Sequence, residues 1–193
     1  MHLVSKLDHT DTAELITRSC GGDPIAIESL VHAYSSSVHR LALSVLDDPA
    51  EADKAAQDAL MIAVNRLHSY RGEASFTTWL FAITLNVCRG RLRKHRARER
   101  LAQVLHVLFR VNDETPDHVE RQVIDRENDA AVWQAIKALK DKEREVVVLR
   151  YYHQLRQADI AQVLGVSDRT VRTRLSSAHE TLRALLNGKV DVK

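Results

Sequence analysis

From Ile27 onward the apolar side chains recur at steps of three and four: Ile27, Leu30, Val31, Tyr34, Val38, Leu41 and Val45. That rhythm lays one stripe along a long helix, and the stripe must be buried against something. Leu60, Ala63, Val64 and Leu67 make a second stripe, and Phe76, Trp79, Leu80, Ile83 and Val87 a third. Only six glycines and three prolines interrupt the 193 residues, and no alternating β-branched run lies between turn residues. The chain is therefore expected to be all-α. Its length suits one or two small domains, either of which can bury a modest core.

Punctuation between the stripes supports this. After the Gly21-Gly22 break, Asp23 can cap a helix whose first residue is Pro24. Asp47-Asp48-Pro49 ends that helix and starts the next, with Asp48 as cap and Glu51 three residues on in a capping-box-like arrangement. Tyr70 to Ser75 reads as a tight loop leading into the third stripe.

The net charge of +2 conceals alternating blocks. Residues 1 to 87 hold 6 basic and 11 acidic side chains, residues 88 to 100 hold 7 and 1, residues 111 to 129 hold 2 and 7, and residues 130 to 193 hold 12 and 7. Such blocks point to separate surfaces for separate partners, the basic ones suited to phosphate. The acidic stretch has Pro116 and weak periodicity, so it reads as a linker with some helix. Two small helical domains result, at 1–97 and 130–193, joined by the linker 98–129.

Several chemistries lack support. No basic leader precedes an apolar core, and no stretch approaches a membrane span, so a cytoplasmic chain without membrane insertion is expected. Cys20 and Cys88 lack metal or redox spacing and are expected to be buried, reduced thiols. None of the ten histidines forms a metal-ligand motif, and no glycine loop cradles phosphate. No metal, no cofactor and no catalysis are expected.

Near the C-terminus, Gln157 to Leu164 forms a short helix, Gly165-Val166-Ser167 a turn, and Asp168 begins a second helix. Ala161 is small enough for close crossing, Gly165 can take positive φ, and Ser167 can cap the second helix. Ile160, Leu164, Val166, Val171 and Leu175 would close the core beneath. This is a helix-turn-helix, with Ser167, Asp168, Arg169, Thr170, Arg172, Thr173 and Arg174 placed to meet duplex DNA in the major groove.

A second nucleic-acid candidate is the aromatic cluster Tyr70, Phe76, Trp79 and Phe81, just before the basic run. Aromatics beside a cationic track suit unpaired bases, where stacking contributes about 1 to 3 kcal/mol per base. The helical spacing of Phe76 and Trp79 puts most of their surface in the core. Thr77, Thr78 and Asn86 are then the better base contacts, with Arg89, Arg91 and Arg93 on phosphates.

These residues resemble the extracytoplasmic-function sigma factors of bacterial RNA polymerase. Leu139 through Glu145 to Tyr151, Ala158 to Ser167 and Thr170 to Leu175 look like the family's upstream-element (−35) binding domain. Tyr70-Arg71-Gly72-Glu73-Ala74-Ser75-Phe76-Thr77-Thr78-Trp79-Leu80 with Asn86 is similar to the segment that captures bases of the melted downstream (−10) element. The resemblance implies that Ala52 to Leu60 docks on the clamp helices of the polymerase's largest subunit, through Asp53, Gln57, Asp58 and Met61. Lys54, Leu60 and Val64 depart from the family's pattern of an acid, a phenylalanine and a tryptophan there. It further implies promoter DNA and an anti-sigma factor as partners, and a monomer when free. The linker would pass through polymerase channels, by analogy alone.

The alternative is a stand-alone repressor or activator, with the N-terminal helices used for dimerisation or sensing. It accounts for the helix-turn-helix and leaves Tyr70 to Asn86 and the Arg89 to Arg100 run without a task. A protein-interaction module that has lost DNA binding is opposed by the intact arginines after Ser167.

Overall fold

Asp23 caps its helix as the sequence implies: its Oδ1 accepts from the N–H groups of Ile25 and Ala26 at 2.9 and 3.3 Å. The helix that follows, α2 (Pro24–Leu46), ends on Asp47 in a left-handed conformation at φ 55°. Asp48 caps α3 (Pro49–Asn65) by accepting from the Glu51 N–H at 3.0 Å. The computed structural model describes residues 9–109 and 127–187, and those residues hold eight α-helices and no strand.

Before α2 stands α1 (His9–Cys20), which the sequence reading does not include. Among its described side chains the apolar ones packed on the core are Leu15 and Ile16, too few to print a stripe. A 3-10 turn at Leu67–Ser69 leads to the loop and to α4 (Phe76–Phe109). The second half holds α5 (Glu127–Ala138), α6 (Asp141–Val147), a π-helical turn at Val148–Tyr152, α7 (Gln157–Leu164) and α8 (Asp168–Asn187).

Two expectations need adjustment. α4 continues to Phe109, well into the segment read as linker, because residues 98–109 contain no glycine or proline and are rich in strong helix formers. Residues 110–126, with Pro116 and most of the acidic block, lie outside the described residues. Cys20 is exposed rather than buried, since it ends α1 beside the Gly21-Gly22 turn. Cys88 is buried, and loss of hydration pushes its thiol up to about 12.

α2, α3 and α4 pack together because α3 turns a face of small residues inward: Ala52, Ala55, Ala56, Ala59 and Ala63 are all buried. A cluster around Leu30, Val38, Phe76 and Leu80 belongs to this half alone. Another, Leu139, Val147 and Ala178, belongs to the second half. The largest cluster joins the halves. Leu41, Val45, Phe81, Leu85 and Cys88 meet Val146, Leu149, Ile160, Leu164 and Val171 in one continuous core. Burial of each large side chain contributes about 1.5 to 3 kcal/mol, so the closed arrangement of the two domains rests on apolar contact.

Candidate nucleic-acid interface

The helix-turn-helix is built by backbone geometry. α7 ends at Gly165 with φ 65°, which places the Val166 N–H on the Ala161 carbonyl at 3.0 Å and the Gly165 N–H on that of Gln162 at 3.2 Å. This is the left-handed helix end that glycine accepts without a Cβ penalty. Ser167 then caps α8: its Oγ accepts from the Thr170 N–H at 3.2 Å, and the two hydroxyls lie 2.9 Å apart. Gln157 Nε2 donates to the Asp168 carbonyl at 2.9 Å, tying the start of α7 to the start of α8. Ile160 and Val171 are fully buried below, with Leu164 buried and Val166 and Leu175 partly so.

Asp168, Arg169, Arg172 and Thr173 are exposed on α8, a helix of 20 residues. Thr170 and Arg174 are half-buried. Thr170 is occupied with the cap, and Arg174 faces a cleft toward α4 and α6.

In the first half the aromatic residues form one interlocked group. Phe76 is edge-on to Tyr34 at 5.0 Å and to Tyr70 at 5.4 Å, and Trp79 lies 5.5 Å from each of Tyr70 and Phe76. Phe76 is buried and Trp79 half-buried, as their spacing implies. Tyr70 donates its hydroxyl to the Ala74 carbonyl at 2.8 Å, closing the loop over Gly72, whose φ is 75°. Burial, and then the neighbouring Tyr34, raise the Tyr70 hydroxyl's pKa.

Thr78 needs correction as a base contact. It is 2 % exposed, and its N–H and hydroxyl are both taken by Ser75, which caps α4. Thr77 is half-buried, and Arg71, Asn86 and Arg93 are exposed. Steps of seven residues put Trp79, Asn86 and Arg93 on one face of α4. Arg89 and Arg91 leave that face. Arg89 forms a paired contact with Glu145, and Arg91 bridges Glu51 at 2.7 Å and Asp58 at 2.6 Å. Arg91, and then Lys54, hold the Glu51 carboxyl below its ordinary range. The two arginines therefore organise the protein in this arrangement, and Arg93 alone of the three is without a carboxylate among the described residues.

On α3, Asp53, Gln57 and Met61 follow at four-residue steps and are exposed, Met61 at 61 %. Asp53 faces His39 Nε2 at 2.9 Å, and Asp58 is taken up by Arg91. Leu60 packs into the first-half core and Val64 lines the small crevice beside it, so both serve packing.

The contacts between the halves escaped sequence reasoning. Arg89 with Glu145, Arg96 with Asp141 at 2.7 Å and Lys137 with Asp47 at 2.9 Å all cross the interface. His153 stacks edge-on against Phe81 at 4.9 Å, and burial, then Arg40, lower its pKa to about 4. No local pattern could have paired residues so distant in the chain.

Residues 30–98 match the sigma-70 region 2 family and residues 129–182 the sigma-70 region 4 family. The chain is 33 % identical over 174 residues to the ECF RNA polymerase sigma factor SigM of Mycobacterium tuberculosis, covering 90 % of this chain and 84 % of SigM. The chain belongs to the ECF sigma factor family. It is also 31 % identical to the ECF sigma factor SigW of Bacillus subtilis, over 86 % of this chain and 91 % of SigW. Against the RNA polymerase sigma factor RfaY of Xanthomonas campestris pv. campestris it is 30 % identical, with 95 % of this chain spanning 47 % of RfaY. Among solved structures, CnrH in complex with the cytosolic domain of CnrY superimposes with a TM-score of 0.64 at 26 % identity, covering 90 % of this chain and 96 % of that one. The sigma factor RpoE in complex with the anti-sigma factor NepR from Bartonella quintana shares the fold, with a TM-score of 0.63 at 24 % identity over 85 % of this chain and 97 % of that one. In this ECF sigma factor, region 2 spans α2, α3 and the first part of α4, and region 4 spans α5 to α8. No helix among the described residues is long and apolar enough to cross a membrane.

Proposed function

We propose that this ECF sigma factor is the promoter-specificity subunit of a bacterial RNA polymerase, acting in the cytoplasm and without catalysis of its own. Region 4 holds the upstream (−35) element as duplex, with Arg169, Arg172 and Thr173 reaching the major groove from α8. Region 2 captures bases of the melted downstream (−10) element on the α4 face that carries Trp79, Asn86 and Arg93. Stacking and hydrogen bonding of an extruded base offset the few kcal/mol lost on unstacking it. The exposed Asp53, Gln57 and Met61 face of α3 docks on the polymerase clamp helices.

The observation that carries this reading is the presence in one chain of both matched regions, each with an exposed face of the required chemistry. CnrH is solved in complex with CnrY, and this supports a regulatory protein partner for the present chain too.

The test is runoff transcription by core polymerase from the same source on genomic fragments, with and without the chain. New, specific transcripts are expected, together with one-to-one association with core. Sequence-specific DNA binding by a dimer, with no transcripts and no association with core, would make it a stand-alone regulator.

A further inference from the structure

Between α4, α6 and α8 lies a cleft of about 340 Å³, at the lower end of the range of small-molecule sites. Val45, Leu92 and Leu164 are its apolar lining, and six cations surround it. Arg89 is neutralised by Glu145 and Arg96 by Asp141. Arg93 on α4, Lys142 and Arg144 on α6 and Arg174 on α8 have no carboxylate partner among the described residues. Arg144 gives one Nη to the carbonyls of Lys137 and Leu139, while its enclosed Nε has no hydrogen-bond partner among those residues.

These four cations, drawn from both halves and without a carboxylate partner among the described residues, repel one another, and this opposes the apolar contact that closes the molecule. We propose that the cleft binds a small polyphosphate, free or carried by a nucleotide, which neutralises these cations and locks the two halves together. Guanidinium groups match phosphate oxygens in geometry, and a linked di- or triphosphate supplies several negative charges in a small volume. The recess favours a small anion over a nucleic-acid backbone, whose phosphates lie on a wide convex surface. Arg93 is also assigned to promoter contact, so bound polyphosphate and promoter DNA compete for it. The binding site itself stands without that assignment, because its test uses the chain alone.

Inorganic tripolyphosphate is titrated against the full chain at constant ionic strength while the unfolding midpoint is followed. A ligand that binds only the folded state raises that midpoint in a saturable way. The expected result is such a rise, with the apparent affinity weakened about tenfold in each of R93A, K142A and R174A, as for loss of one charge-assisted hydrogen bond. R183A, on the same α8 but outside the cleft, retains the wild-type affinity. An equal response to ATP assigns the site to nucleotide-borne phosphates, and a response to tripolyphosphate alone assigns it to the free anion. No rise, an equal rise with sodium chloride at matched ionic strength, or full affinity in the three cleft variants would overturn the proposal. So would a rise given only by a DNA oligonucleotide.

Discussion

Arg89 donates from Nε and Nη2 to both carboxylate oxygens of Glu145, 56 residues away, at 2.8 and 2.7 Å. Glu145 is 6 % exposed, and among the described residues this guanidinium is the hydrogen-bonding partner that offsets the loss of its hydration. Replacement of Arg89 by alanine is expected to cost about 3 kcal/mol in urea unfolding, the low end for a broken buried pair because Arg89 itself is partly exposed. Glu145→Gln, which removes the buried charge, should cost distinctly less. Equal losses in the two variants would mean that the pair contributes by packing alone.

His153 gives the interface a pH dependence. Its pKa is lowered to about 4 by burial first and Arg40 second, whereas the unfolded chain takes up the proton near the ordinary value of 6.5. Between those values the unfolded state binds more protons, so stability is full above the unfolded pKa and falls as the pH drops toward the folded one. The complete effect is up to about 3 kcal/mol. Unfolding measured from pH 7 down to pH 4 should show this slope in the wild type and a shallower one in His153→Leu. Equal slopes would exclude His153 as their source.

At Gly165 the restriction is the backbone alone, since a Cβ there would meet nothing within 4 Å and only the φ of 65° resists it. Gly165→Ala should therefore cost about 1 kcal/mol, and Gly165→Asn, more tolerant of the left-handed region, less. Thermal unfolding of the two variants checks the order.

Arg169 and Arg172 are exposed and belong to no ion pair among the described residues, so their replacement should leave stability within about 0.5 kcal/mol. If each holds a phosphate, alanine there weakens duplex binding across sequences and flattens its salt dependence by about one ion. An unchanged salt slope would remove that arginine from the phosphate contacts.

Met61 is the exposed apolar residue of the proposed polymerase face, at 61 % exposure. Met61→Asp should leave unfolding unchanged and weaken association with core polymerase by about tenfold or more, the loss expected for a residue at the centre of an interface. Full core affinity in this variant would place the docking surface elsewhere.

Local chemistry alone determined the helical class, the caps at Asp23, Asp48 and Ser167, the glycine turn at Gly165 and the exposed arginines after it. Each depends on a residue and its neighbours within one or two turns, and that information is contiguous in the chain. The buried character of Phe76 was legible in the same way, from periodicity. Thr78 was not, because a threonine beside a stripe is equally compatible with a polar surface until the cap at Ser75 claims it. The run of cations read as one phosphate-binding track, yet Arg89 and Arg91 are divided between Glu145, Glu51 and Asp58. Only the tertiary structure could decide that. Which carboxylate meets which guanidinium depends on how α4 packs against both halves, and the apolar contacts that set this packing join residues as distant as Phe81 and Leu149.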